Sequence, residues 1–232
     1  MDWRMNGWLT LLRMAARSET LDRLHAAVEQ EIAAASQRVD QAHDGSDEYV
    51  DAVTDDECDR IEDLLGLAFV ACQSYMTGLR TRVAALSQVC QSKYGATLPF
   101  ASDSKAYGVF KVGHATGSNH TDAEVANAVA NYWKHQDDWP TREEKRGGKI
   151  ATVWDVGPMR SNEKRTVEIV TSIGISFGST GNLRDGAKAL GVTDYADLSP
   201  IRKKLRTWAG KVSDETRRAL LHFEGHSITE ST

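Results

Sequence analysis

Three side chains near the middle of the chain have the types and spacing for acid–base chemistry: Asn131, Lys134 and His135. On a helix over residues 121–136 they fall within about one turn of one another. An imidazole titrates near neutrality and can take or give a proton. An amide one turn before it can orient it, and an ammonium beside it can offset charge on a phosphate. The helix has its own signals. Thr121 and Glu124 form a capping-box pattern at its start, and Trp139-Pro140 marks its end, because a proline disfavours helix in the residue before it. Val125, Ala128, Val129 and Tyr132 share the side that faces a core, which leaves Asn127, Asn131, Lys134 and His135 on the other. The plainer reading of that polar side is a solvated helix face.

The run Ala130-Asn131-Tyr132-Trp133-Lys134-His135, placed after two long helices, resembles the signature helix of HEPN-like proteins. These are small helical bundles, many of them RNA-cleaving toxins or prokaryotic defence components, whose helix carries an arginine, a polar residue, a few others and then a histidine. Here Ala130 stands where that family has its arginine, while Asn131 and His135 keep the polar and histidine positions and Lys134 offers a substitute cation. The resemblance implies a protein that binds or cleaves RNA without a metal or other cofactor. His135 would move the proton of a ribose 2′-hydroxyl, and Lys134 would stabilise the phosphate. It also implies a homodimer and a protein partner from a neighbouring gene, in a defence or toxin–antitoxin setting. The missing arginine favours the non-catalytic members, which act as binding or dimerisation modules.

Other sets of residues offer different chemistry. His114, His120 and Asp122 lie close in sequence and, with His135, have the donor types of a zinc site, but their spacing follows no ligand pattern, so no metal is expected. Arg202, Lys203, Lys204 and Arg206 form a basic stretch on a C-terminal helix, following an Ala187–Val192 segment that resembles half of a helix-turn-helix. Its connecting turn is too long for that motif. The stretch supports an alternative reading, a non-enzymatic helical adaptor or DNA-binding regulator. Arg217 with His222 repeats the arginine-to-histidine spacing on the same helix, as Arg38 with His43 does near the start. Cys72 and Cys90 fall on the apolar side of a helix, where a thiol behaves as a small hydrophobe. No phosphate-binding glycine loop, nucleophile elbow or dinucleotide fingerprint occurs.

The elements that must position these groups are helical. Leu21, Leu24, Val28, Ile32, Ala35 and Val39 predict a helix over 18–39, broken by the Asp/Gly/Ser-rich 43–49. Thr54 and Glu57 form a second capping-box pattern, and Ile61, Leu65, Ala68, Cys72, Tyr75, Leu79, Val83, Leu86 and Cys90 keep helical spacing after it. One very long helix over 55–93 is therefore expected, which a second subunit would help to cover. Residues 94–120 read as a glycine-rich loop with a short strand over 107–112, residues 141–149 as a charged linker, and 150–154 as a short strand. Further helices follow near Val167–Ile173, over 182–190 closed by Gly191, and from Ser199-Pro200.

The fold class is mainly α: a helical bundle over 18–140, preceded by a Trp-rich arm over 1–17 and followed by a small helical C-terminal region over 141–232. The arm, with Trp3 and Trp8, reads as a docking segment or as sequence ahead of the fold, and not as a secretion signal. With 232 residues, 41% of them apolar, and three cysteines without a paired spacing, the chain suits a cytoplasmic protein with no membrane span. Charge divides it: residues 1–140 hold 12 basic and 21 acidic side chains, and 141–232 hold 16 and 12. Nucleic acid would be repelled by the acidic stretch over 40–63.

Overall fold

The helical periodicities in the sequence are realised, with shifted ends, in a computed structural model of the chain. It describes residues 18–43, 46–100, 108–113, 119–146 and 149–229, together with Gly7 and Thr10. The remainder of the Trp-rich arm and the loop residues Tyr107 and His114 lie outside the described residues. In chain order the elements are α1 (Glu19–Ala42), α2 (Asp47–Tyr94), α3 (Asp122–His135), a 3₁₀ turn (Gln136–Asp138), β1 (Thr141–Arg146), β2 (Lys149–Trp154), α4 (Ser161–Ser172), α5 (Asn182–Ala189) and α6 (Ser199–Thr229). The architecture is the expected one: mostly helix, one helix far longer than the rest, and two short strands. Among the described residues no helix is long and apolar enough to cross a membrane.

The described residues group into two compact units that interleave along the chain. One draws on Thr20–Gln73 and Val125–Ile201, the other on Met1–Glu19, Ser74–Glu124 and Arg202–Thr232. The linear division at residue 140 is thus not how the contacts partition.

In the first unit, α1 and the opening of α2 run side by side. Arg38 donates to both carboxylate oxygens of Glu57, at 2.7 Å through Nη2, and His25 Nε2 lies 3.2 Å from the Ala68 carbonyl. Leu21, Ile32 and Ala35 on α1 and Leu65, Ala68 and Phe69 on α2 are buried core positions. Helix α2 begins at Asp47, well before the Thr54 and Glu57 pair, so that pair lies inside the helix and is no cap. Asp47 and Glu48 explain the earlier start, since acidic side chains in a first turn offset the exposed N–H groups there. Residue 66 must be glycine for α3 to approach: a Cβ at Gly66 would fall 2.2 Å from the Trp133 indole. Gly186 plays the same part for α5, where a Cβ would sit 2.9 Å from Val129.

The segment read as a charged linker is strand β1. It pairs antiparallel with β2 from Thr141↔Trp154 to Arg146↔Lys149. Hydrogen bonding to β2, rather than apolar alternation, makes this strand. Trp154 anchors the hairpin, edge-on to Tyr132 and Trp139 with ring centroids 5.8 Å away in each case.

The second unit contains the end of α2, with Met76, Leu79, Val83, Leu86 and Cys90 buried, and α6 from Arg202, with Leu205, Trp208, Ala209 and Val212 buried. Residues 108–111 form a turn and not the expected strand. That turn is held by Trp208, whose indole N–H donates to the Val109 carbonyl at 3.0 Å. The Thr121 and Glu124 capping box forms as expected: Thr121 N–H donates to the Glu124 carboxylate at 3.0 Å and Glu124 N–H to Thr121 Oγ1 at 3.2 Å.

Candidate functional site

Helix α3 is buried at every position from Val125 to Ala130, and its polar side is divided: Asn127 is buried and Asn131 half-buried, while Lys134 and His135 are exposed. Gln73, on α2, organises that side. Its amide nitrogen donates to Asn127 Oδ1 at 2.9 Å and to Asn131 Oδ1 at 2.8 Å, and its carbonyl oxygen accepts from Lys134 Nζ at 2.5 Å. Both N–H donors and the carbonyl oxygen of this amide are thereby engaged, as suits a partly buried polar group. The Lys134 ammonium is held below the usual lysine range by burial of its charged end. Gln73 carries no motif signal in the sequence, since only the packing of α2 on α3 brings it here.

Lys134 is consequently committed to Gln73, while His135 takes another direction. Its ring Nδ1 lies 3.6 Å from the Asp138 carboxylate, and about half of the side chain is exposed. His135 and Asn131 line a cleft of about 330 Å³. Trp139 and Pro140 supply its apolar wall, and the start of α4 supplies Arg160, Asn162, Glu163 and Thr166. The cation lining the cleft is Arg160, and Lys134 is not among the lining residues. Arg160 is followed by a well-formed helix start, in which its backbone N–H donates to the Glu163 carboxylate at 2.6 Å. Thr166 Oγ1 donates to the Asn162 carbonyl at 2.9 Å, which fixes that hydroxyl against its own helix.

Ala130, in the position of the family's arginine, is fully buried. An arginine there would place a charge in the core without room or partner, so alanine follows from the packing. Sequence reasoning therefore finds two cleft residues, Asn131 and His135, and misses Arg160, Glu163, Asp138 and Trp139. No periodicity connects residue 160 with residue 135.

The wall of the cleft is backed by an aromatic cluster. Tyr132, Trp139, Trp154 and Phe177 form a chain of ring contacts with centroids 5.8 to 6.2 Å apart. The Tyr132 hydroxyl, its pKa raised mainly by burial, accepts a hydrogen bond from Asn182 Nδ2 at 2.7 Å. Asn182 also donates to the Ser176 and Ser179 carbonyls, both at 2.9 Å, and so ties the loop before α5 to α3.

The C-terminal basic stretch is in a different condition. Lys204 forms an ion pair with Asp122 at 2.7 Å, and Arg206 Nε donates to Ser18 Oγ at 2.6 Å. Lys203 is exposed, and Arg202 is half-buried and also engaged. The connector between α5 and α6 runs over 190–198, confirming a turn too long for a helix-turn-helix. Arg217 and His222 are both exposed on α6, whereas Arg38 is occupied by Glu57.

Among the described residues no group of three histidine, cysteine or acidic side chains is placed to hold a metal ion. His120 is buried, and Asp122 is held by Lys204. Cys72 and Cys90 are fully buried, as their place on the apolar side of α2 implies. Cys72 Sγ lies 3.4 Å from His25 Nε2, but both side chains are sealed from solvent, and burial raises the Cys90 thiol.

Comparison of the chain with protein-family models, with curated proteins and with solved structures returned no match.

Proposed function

We propose that the chain binds RNA, and cleaves it, at the cleft lined by His135, Asn131 and Arg160, as a HEPN-like protein of a prokaryotic defence or toxin–antitoxin type. The observation that carries this reading is the shared cleft: His135, which carries a proton-transfer group, and Arg160, which carries a guanidinium, line the same cavity. Neutral His135 takes the proton of a ribose 2′-hydroxyl, whose oxygen attacks the adjacent phosphorus. The bond to the 5′-oxygen breaks, and solvent protonates the leaving oxygen. Arg160 takes the role that the sequence suggests for Lys134 and offsets charge on the phosphoryl oxygens. Because the nucleophile is carried by the RNA itself, the step requires no metal ion, and its products are a 2′,3′-cyclic phosphate and a 5′-hydroxyl.

Purified protein incubated with RNA in the presence of a chelator tests this directly. Cleavage to those end groups, lost in His135→Ala, supports the mechanism. Equal cleavage by wild type and His135→Ala removes it.

The same reading places the protein in the cytoplasm as a homodimer with a partner from a neighbouring gene. Leu24 and Leu67, both about half exposed and adjacent to the His25–Ala68 contact, give a second copy an apolar pair to cover. The adaptor or DNA-binding alternative would use Arg202, Lys203, Lys204 and Arg206. It is weakened by the internal commitments of Lys204 and Arg206.

A further inference from the structure

We propose that the cleft receives one unpaired guanine base of an RNA strand, with Trp139 and Pro140 as its wall and Glu163 reading its edge. The inference rests on the RNA reading above and names the feature of the strand that is recognised. A volume of about 330 Å³ lies at the small end of ligand sites, which run from roughly 300 to 1,000 Å³. It suits a nucleoside-sized group and not a base pair. Proteins that read RNA by sequence take bases from single strands, hold them against aromatic or guanidinium surfaces, and bond to their Watson–Crick edges. Trp139 is buried, its ring packed against Tyr132 and Trp154 with centroids 6.2 and 5.8 Å away, so the wall it gives needs no ordering when a base arrives.

Charge then selects the base. Glu163 lines the cleft beside Arg160, so a phosphate placed against Glu163 would be repelled. A base edge with donors would not. Guanine presents two adjacent donors, N1–H and N2–H, next to the O6 acceptor. A carboxylate accepts that pair, while the Arg160 guanidinium beside it serves the phosphate. Glu163 is held in position because it accepts the Arg160 backbone N–H at 2.6 Å, yet each carboxylate oxygen has two lone pairs and capacity remains. Among the described residues no carboxylate pairs with the Arg160 guanidinium, which leaves its donors for a ligand.

The test is fluorescence anisotropy of the full-length protein with labelled uridine octamers that carry one central G, A, C or U. The strands are fully 2′-O-methylated so that none can be cut. A hairpin that holds the same G in a base pair completes the set. The G octamer is expected to bind about tenfold more tightly than the others, and the paired G no more tightly than all-U. Glu163→Gln keeps the helix cap, because glutamine serves there as glutamate does, but replaces an acceptor with an amide. It should bring the G-to-A ratio to about one. N1-methylguanosine in the octamer should do the same with the wild-type protein, which makes the result independent of any variant's folding. Equal and tight binding of all four octamers overturns the base assignment and leaves the RNA reading intact. So does a preference for another base, or a G preference that survives both Glu163→Gln and N1-methylation. Absence of binding to every RNA overturns both.

Discussion

The cleft beside His135 and the basic stretch of α6 are built from the same kinds of side chain, held in opposite conditions. At the cleft, Arg160 lines the cavity while the carboxylate nearest to it in sequence, Glu163, accepts a backbone N–H. On α6, Lys204 is joined to Asp122 at 2.7 Å and Arg206 to Ser18 at 2.6 Å. A charge already satisfied within its own fold has little left to offer a phosphate, because any new contact must first displace the old one. Density of basic residues along a sequence is therefore a poor guide to where an anion binds. What matters is which cations keep their donors.

The comparison breaks most readily at His135. If the cleft is the working site, His135→Ala lowers RNA cleavage by about 10²- to 10⁴-fold, measured as single-turnover rate, whereas Lys134→Ala, which removes a Gln73 partner, changes it far less. Similar losses in the two variants would restore Lys134 to the chemistry. Next in size is the support for the cleft: Gly66→Ala drives a methyl into the Trp133 ring and should cost about 1–3 kcal/mol, read as a lower Tm in thermal unfolding. An unchanged Tm would mean that α3 does not depend on this close approach.

Asp122→Asn sharpens the contrast from the other side. It leaves the Lys204 ammonium, largely covered, without its counter-charge, and should destabilise by about 1–2 kcal/mol, between exposed and fully buried pairs. If α6 were the nucleic-acid surface, freeing Lys204 would also tighten RNA binding. We expect no such gain. Acid sensitivity gives a smaller signal. The hydrogen bond from Arg38 holds the Glu57 carboxyl below its ordinary value of 4.5, so this pair's contribution is present above that pH and is lost as pH falls through the lower, folded-state value. Melting wild type against Glu57→Gln between pH 7 and 3 should show the difference between them shrinking on acidification. Smallest of all is Lys203→Ala: exposed and on the solvent side of α6, it should alter stability by less than about 0.5 kcal/mol, with RNA affinity changed less than twofold.

How much of this was legible in the sequence depends on whether a feature is local. The long helix is plain from Ile61 to Cys90 because each turn repeats the same burial, and the Thr121 and Glu124 cap is plain because both partners lie within four residues. Strand β1 is hidden because Arg142, Glu143, Glu144 and Lys145 have no apolar alternation, although Gly147-Gly148, between the paired Arg146 and Lys149, is the residue pair that short hairpin turns favour. Arg160 and Gln73 are hidden for a stronger reason. Each meets α3 from more than 20 residues away, and nothing in its own neighbourhood marks it. The sequence also groups Asn131, Lys134 and His135 as a trio, when a single residue step, about 100° around the helix, is enough to send Lys134 to Gln73 and His135 to the cleft.

The interleaving of the two compact units has a practical consequence for anyone who cuts the gene. Neither unit is encoded by one uninterrupted stretch. A recombinant fragment stopped at residue 140 would keep Asn131 and His135 but discard Arg160 and Glu163, and would carry half of a cleft. Silence from such a truncation would say nothing about the whole protein.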